Sequence, residues 1–349
     1  SARLREAAVT EEARTIDRPM RAVLFGNVTQ RPYSNNLSGI VRAFARVTDL
    51  RILEPRHCPG FVSTGGAVPA AVPAEAVRQA LGERPEIVIC LAGALFVPED
   101  ARRLFAPATV FVGFAASDPI GLSASFSIAP EFDLFYTQDP HSAPAYRERG
   151  LSVRDYLPAI DTEEYVPLER EKEWDVVYVG KWTDYRDALV RALAERFSVA
   201  VFTYAGESRW SVPARPPLES PPEVCEAMAR ARVALECARV DDPRAGVLEG
   251  SVRLTNRPQI AAACGVPSLV EAFDLLPRFF EPGLEVEPFT NAADLVARTE
   301  KLLSDPARRM EMGRRALARV RRDHTWDQRV ARFLDDVRER RAARTEGAS

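Results

Sequence analysis

Short apolar runs, each closed by a glycine or a polar loop, recur along this chain of 349 residues. RAVLFG (Arg21–Gly26), Leu50–Leu53, EIVICLA (Glu86–Ala92), TVFVGF (Thr109–Phe114) and Phe132–Thr137 are β-rich and apolar throughout. Strands of a parallel sheet covered on both faces read this way. Helical patterns lie between several of them, over 35–47, Ala74–Leu81 and His141–Gly150, and Ser152–Leu157 closes the first series. Pro55–Pro73, with its glycines and prolines, reads as a long loop. A polar, acidic stretch from Asp161 to Glu173 follows, and a fresh buried strand, Asp175–Gly180, opens the scheme again.

The second series has a helix with Val190, Leu193, Ala194 and Phe197 on one face. Strand Val199–Tyr204, a Pro-rich loop Ser211–Pro222, a helix near Glu223–Ala231 and strand Val233–Cys237 come next. After the polar loop Ala238–Gly250, TNRPQIAAACG predicts a helix starting at Thr255 or Asn256 and ending before Gly265. Pro258 is tolerated only in its first turn. Strand Pro267–Glu271 and three helices, Ala292–Leu303, Pro306–Arg322 and Trp326–Arg341, finish the chain. In the last helix Val330, Phe333, Leu334 and Val337 form an apolar stripe. The pattern predicts an α/β protein of two Rossmann-like doubly wound domains facing each other across a cleft. Their bounds are 1–165 and 166–325, with 326–349 a final helical segment.

Composition narrows the choice. A net charge of −3 speaks against nucleic acid as a partner. Only three of the 47 basic residues are lysines, Lys172, Lys181 and Lys301. Five scattered cysteines without a Cys-x-x-Cys pair point to no zinc site and no disulfide framework, and to a reducing compartment. The first twenty residues lack an apolar segment and no run approaches a membrane span, so the expectation is a cytoplasmic protein with no integral membrane segment.

Doubly wound sheets bind ligands at the carboxyl ends of their strands, which directs attention to the loops after Gly26, Phe114, Gly180, Tyr204 and Cys237 and to the Thr255 helix start. At that start, backbone N–H groups, Thr255, Asn256 and a bidentate Arg257 suit an anion such as a diphosphate; an ordinary cap beside a surface arginine is the alternative. Lys181 and Arg186, just past a strand-ending glycine, are cations that could neutralise a leaving diphosphate, or a solvated pair. Gly26 and Asn27 would let backbone approach a ligand closely. Asp118 stands where an acceptor-side acid or base could act, although a turn-forming Asp-Pro is the commoner role. There is no G-x-G-x-x-G, no P-loop and no metal-binding Asp pair. The three histidines are scattered, and His324 reads as structural.

Taken together, FDLFYTQDPHSAPAYRERG, YLPAID and DVVYVG, then Arg257–Gly265, FEPGLEV, Leu302–Arg308 and Arg321–Arg329, resemble the spore-maturation (CgeB-like) branch of GT-B, group 1, glycosyltransferases. The likeness covers roughly the last two-thirds of the chain. It implies an enzyme of hexosyltransferase type that moves a sugar from a nucleotide-diphosphate donor to a hydroxyl or amine on a small-molecule (natural-product) or surface-glycan acceptor. The acceptor would sit mainly on the first domain and the donor on the second. The resemblance further implies retention, no metal and no cofactor beyond the donor sugar nucleotide. It leaves a homodimer open. Carried over by position, Lys181 falls at a post-strand phosphate contact, Thr255 and Arg257 at the helix start beneath the diphosphate, and Tyr204 and Gly206 beside the base. Gly180, Asn256 and Gln259 join them as donor-binding candidates, and the final helix, 326–349, would cross back to the first domain. One departure stands out: Ile260 occupies the place where relatives often hold the ribose with a glutamate. Gln259, Glu236 or Glu249 would have to take that role. A non-catalytic GT-B module and a sugar-nucleotide epimerase are the competing expectations.

Overall fold

The computed structural model describes residues 18–26, 36–59, 61, 68–91, 95–115, 118–203, 209–239 and 254–346. Among these, two six-stranded sheets carry the fold, and every strand pairing in both is parallel. In the first sheet the strands are β1 (Met20–Phe25), β2 (Thr48–Leu53), β3 (Ile87–Leu91), β4 (Val110–Ala115), β5 (Leu134–Thr137) and β6 (Arg154–Asp155), in the order β2-β1-β3-β4-β5-β6. The second holds β7 (Trp174–Val179), β8 (Val199–Phe202), β9 (Ala214–Arg215), β10 (Ala231–Glu236), β11 (Ser268–Glu271) and β12 (Glu287–Phe289), in the order β9-β8-β7-β10-β11-β12. β3 and β4 are buried along their whole length, as sheets with both faces covered require. The two-domain doubly wound reading is thus what the chain adopts.

Several elements differ from the sequence reading. The segment 152–157 forms only the two-residue β6. The helix expected at Glu223 begins instead at Pro221, because Ser220 caps it by accepting from the Glu223 N–H, and the prolines fit its first turn. Short strands at Ala70–Ala71, paired with Leu95–Phe96, and at Ala214–Arg215 lie inside stretches that read as loops.

The helix at Trp326–Glu346, α7 in a series begun by α1 (Asn36–Val47), α2 (Asp184–Ala194), α3 (Pro221–Ala229), α4 (Arg257–Ala263), α5 (Ala292–Ser304) and α6 (Pro306–Asp323), lies on the first sheet. Its apolar stripe explains why. Trp326, Val330, Phe333, Leu334 and Val337 are all buried in one core with β1, β3, β4 and α1. The Phe333 ring sits 5.0 Å from Phe114 and 4.6 Å from Tyr136. Each such side chain contributes roughly 2–3 kcal/mol by burial alone. Gly39 in α1 makes the approach possible, since a Cβ there would stand 2.3 Å from the Trp326 ring.

The chain crosses between the sheets twice, side by side. Ile160 N–H donates to His324 O at 3.0 Å and Trp326 N–H donates to Ile160 O at 3.1 Å. Arg329 clamps the crossing: Nε donates to Leu157 O and Nη1 to Asp323 O, each at 3.0 Å, and Nη2 donates to His324 Nδ1 at 3.0 Å. With Nδ1 accepting, the proton of the His324 ring is on Nε2, which donates to Phe279 O at 2.8 Å. Burial, and then the Arg329 charge, lower the His324 pKa to about 4. The unfolded chain binds this proton near pH 6.5 and the folded one does not. His324 therefore supports the fold fully above about pH 6.5 and loses that contribution as pH falls towards 4. Between pH 7.5 and 5 the wild type should lose about 2 kcal/mol more unfolding free energy than His324→Gln, whose amide can mimic the neutral ring. Urea titrations at the two pH values measure the difference; equal losses would show that this ring does not set the pH response.

Candidate active site at the edge of the second sheet

Strand order in the second sheet reverses between β7 and β10, and the crevice outside their carboxyl ends is where such sheets hold ligands. β7 runs out at Gly180, and a Cβ there would lie 2.6 Å from Arg257 Nη1 and 2.7 Å from Tyr178 Oη. Glycine is what allows the guanidinium to lie over the strand end. Arg257 is fixed in place: Nη2 donates to Cys237 O at 2.7 Å, Nη1 to Tyr178 Oη at 3.4 Å and Nε to Thr255 Oγ1 at 3.4 Å. Burial opposes its charge, but Tyr178 and Glu236 outweigh that effect and hold its pKa above the usual arginine value.

Arg186 enters from the first turn of α2. The Thr183 hydroxyl caps that helix by accepting from the Arg186 N–H at 3.2 Å. Arg186 Nη1 donates to Lys181 O at 3.3 Å and Nη2 to Arg239 O at 3.2 Å, while its buried Nε has no hydrogen-bond partner. Arg239, just beyond β10, pairs through Nε with Glu271 Oε1 at 3.2 Å and stacks over the Tyr185 ring at 4.3 Å. The Tyr185 hydroxyl donates to the same Glu271 oxygen at 2.6 Å. Three guanidinium groups, from the first turns of α2 and α4 and from just beyond β10, thus converge at the carboxyl edge of the sheet.

Two buried carboxyls lie among them, and they differ. Glu271 is engaged by Tyr185, by the Arg239 guanidinium and by the Arg239 N–H. Glu236, the last residue of β10, is 2% exposed, and its Oε2 has no hydrogen-bond partner. Its nearest cation, Arg257 Nε, is 3.8 Å from that oxygen, beyond hydrogen-bonding range. Desolvation wins over Arg257 and Arg186 and pushes the Glu236 pKa up to about 7. Beside it lies a cavity of about 10 Å³, walled by Cys237, Thr255, Phe273 and Phe279 among others. That is room for about one water.

Of the residues singled out in the sequence, Gly180, Lys181, Arg186, Thr255 and Arg257 come together here. Lys181 is exposed, and its carbonyl accepts from Tyr178 and Arg186. Asn256 is buried at the start of α4 without a side-chain cap bond. Asn27, Tyr204 and Gly206 lie outside the described residues, as does Glu249. Gly26 belongs to the first sheet, where its N–H extends the β1–β2 ladder to Leu53 O at 3.3 Å.

Two expectations are corrected. Asp118 has no exposed surface, and its carboxylate accepts from the hydroxyls of Ser125, Thr137 and Tyr146 at 3.0, 2.7 and 2.8 Å. It ties a buried turn together and offers no open face to a substrate, so it is no acid or base for the cleft. Gln259 is wholly buried, its amide set among the carbonyls of Pro158, Thr255 and Asn256, and it faces the crossing between the domains instead of the crevice. Ile260 packs into the core of the second domain. The sequence reading missed Arg239, Tyr185 and Glu271. The legible sign was an acid, Glu236, ending the apolar run Val233–Leu235 of a central strand.

The two halves also meet at the cleft edge, where His141 Nε2 lies 2.7 Å from Asp274 Oδ2 and Arg278 pairs with Asp155 at 3.4 Å.

Residues 186–335 match the model of a family described as glycosyl transferase-like. No curated protein matches the sequence. Among solved structures, sucrose-phosphate synthase from Thermosynechococcus elongatus superposes with a TM-score of 0.62 at 13% identity, covering 92% of this chain and 99% of that one. HepE of Anabaena in complex with UDP-glucose gives 0.60 at 12% identity, with 91% and 100% covered. AviGT4, a glycosyltransferase involved in avilamycin A biosynthesis, gives 0.60 at 14%, with 93% and 98% covered. The chain thus shares the two-domain α/β fold of these structures, and its second half is similar to a glycosyl transferase-like family.

Proposed function

We propose that the protein transfers a sugar from a nucleoside-diphosphate donor to a hydroxyl or amine of a small-molecule or surface-glycan acceptor. The observation that carries this reading is the convergence of Arg186, Arg239 and Arg257 at the switch point of the second sheet. Breaking a sugar–phosphate bond leaves a diphosphate whose growing charge must be met at once. Guanidinium groups already held by Cys237 O, Lys181 O and Arg239 O need no reorganisation to meet it. Lys181, exposed on the neighbouring loop, is placed to add a further cation. On this reading the transfer has no obligatory metal and retains the anomeric configuration, as the likeness to the CgeB-like branch implies. The acceptor enters from the first domain, and the enzyme works in the cytoplasm.

Ile260 favours a second reading, a module that binds a nucleotide without transferring, because its buried aliphatic side chain offers a donor no polar group. Incubation with a nucleotide sugar alone separates the two: slow release of nucleoside diphosphate supports the enzyme, and binding without release under every acceptor condition supports the module.

Turnover across a panel of nucleotide sugars and acceptors is the direct test of transfer. On the accepted donor, Arg257→Ala should lower kcat by about 100-fold, the scale for losing one preorganised donor at a developing anion. Unchanged rates in both Arg257→Ala and Lys181→Ala would remove the diphosphate site from this edge.

A methyl group at position 180 would collide with the Arg257 guanidinium and the Tyr178 hydroxyl. Gly180→Ala should therefore weaken nucleoside-diphosphate binding by about tenfold, the loss expected for one charged hydrogen bond. Calorimetry reads the affinity, and a thermal melt close to wild type would show that the loss is local.

A further inference from the structure

We infer that Glu236 is a further donor-binding residue, one that meets the diphosphate as a neutral acid and donates its own proton to it in a hydrogen bond. The inference rests on the diphosphate reading given above.

A buried carboxyl oxygen without a partner is uncommon, and it calls for a ligand or a reason. Glu236 Oε2 is such an atom, on a side chain 2% exposed, at the end of the strand that borders the crevice. The charged and titratable groups around it come from every neighbouring element. They are Tyr178 from β7, Arg186 from α2, Cys237 and Arg239 from the end of β10, Arg257 from the start of α4, and Glu271 from β11. None of them donates to Oε2. The Arg257 donors are directed at Cys237 O, Tyr178 Oη and Thr255 Oγ1, and Arg186 Nη1 and Nη2 at Lys181 O and Arg239 O, while Arg186 Nε donates to no group. Glu271, the other acid, is already satisfied.

A diphosphate drawn to Arg257 and Arg186 would bring its negative charge next to this carboxyl. Two anions this close in a buried site cannot both stay ionised. The donor carries the more acidic groups, so the proton goes to Glu236. Protonated, Oε2 becomes an O–H donor, and the partner it lacks becomes a phosphate oxygen. Burial already holds this group near neutrality, so the proton is acquired at little cost. Binding then takes up a proton from solution, and affinity falls as pH rises.

The test uses the intact protein with UDP, GDP and ADP as nucleotide probes and inorganic pyrophosphate as a base-free one. Between pH 7.0 and 8.5 the terminal phosphate of the nucleotides, whose second ionisation lies near pH 6, holds a nearly constant charge, so the pH profile is read on the nucleotide probes and pyrophosphate serves at pH 7.0 alone. Over that interval wild-type affinity for the tightest probe should fall about 15-fold. Titration calorimetry in two buffers of different ionisation enthalpy should show uptake of about half a proton per ligand at pH 7.0, approaching one at pH 8.5. Glu236→Gln, whose amide donates at any pH, should bind without proton uptake and with a flat pH profile. Glu236→Ala should bind more weakly than Glu236→Gln, also with a flat profile. Wild-type binding without proton uptake, or the same pH slope in Glu236→Gln as in wild type, would overturn the role of Glu236 and leave the diphosphate site standing. A wild type that binds none of the four probes would remove both.

Discussion

One buried guanidinium holds the two halves of this protein in register. Arg329 is 6% exposed, and it reaches the outgoing strand of the crossing through Leu157 O and the returning one through Asp323 O and His324. A charge taken out of water must be met by dipoles or by an opposite charge. Here the dipoles are two carbonyls and a neutral imidazole nitrogen. That arrangement dictates the tautomer of His324, and the ring's remaining proton then fixes Phe279 O in the second domain. Asp161 adds to the same junction from outside, accepting from Arg42 Nε at 2.9 Å and Arg46 Nη2 at 3.4 Å.

Much of the fold was legible because parallel sheets write themselves plainly into sequence. Runs such as EIVICLA and TVFVGF carry no alternation, and the fresh strand after the acidic stretch marks where the scheme restarts. The apolar stripe of the last helix was equally clear. What escaped detection was short or set by contact. Two-residue strands such as Ala70–Ala71 exist only because a neighbour pairs with them. The start of α3 was misplaced because Pro221 and Pro222 look like breakers until Ser220 is seen to cap the turn they occupy.

The site was half legible, for a related reason. Glycine and basic residues after strand ends can be placed from pattern alone, which is how Gly180, Arg186 and Arg257 were found. Burial cannot. Asp118 and Glu236 look alike in sequence, each an acid near a strand end. Yet three hydroxyls satisfy one carboxylate, while the other keeps a bare oxygen beside a cation 3.8 Å away. The difference between a turn and a binding group lies in those neighbours, which come from strands and helices far apart along the chain.

The placement of α7 bears on how the protein is made. Its Trp326, Phe333 and Leu334 complete the core of the first sheet, a sheet that otherwise comes from the opening residues of the chain. Synthesis delivers domains from the N-terminus onward at about 5–20 residues per second. The first sheet therefore waits with one apolar face uncovered until the residues of α7 have been made, and the second half folds in its presence. A segment made after the second sheet closes the core of the first.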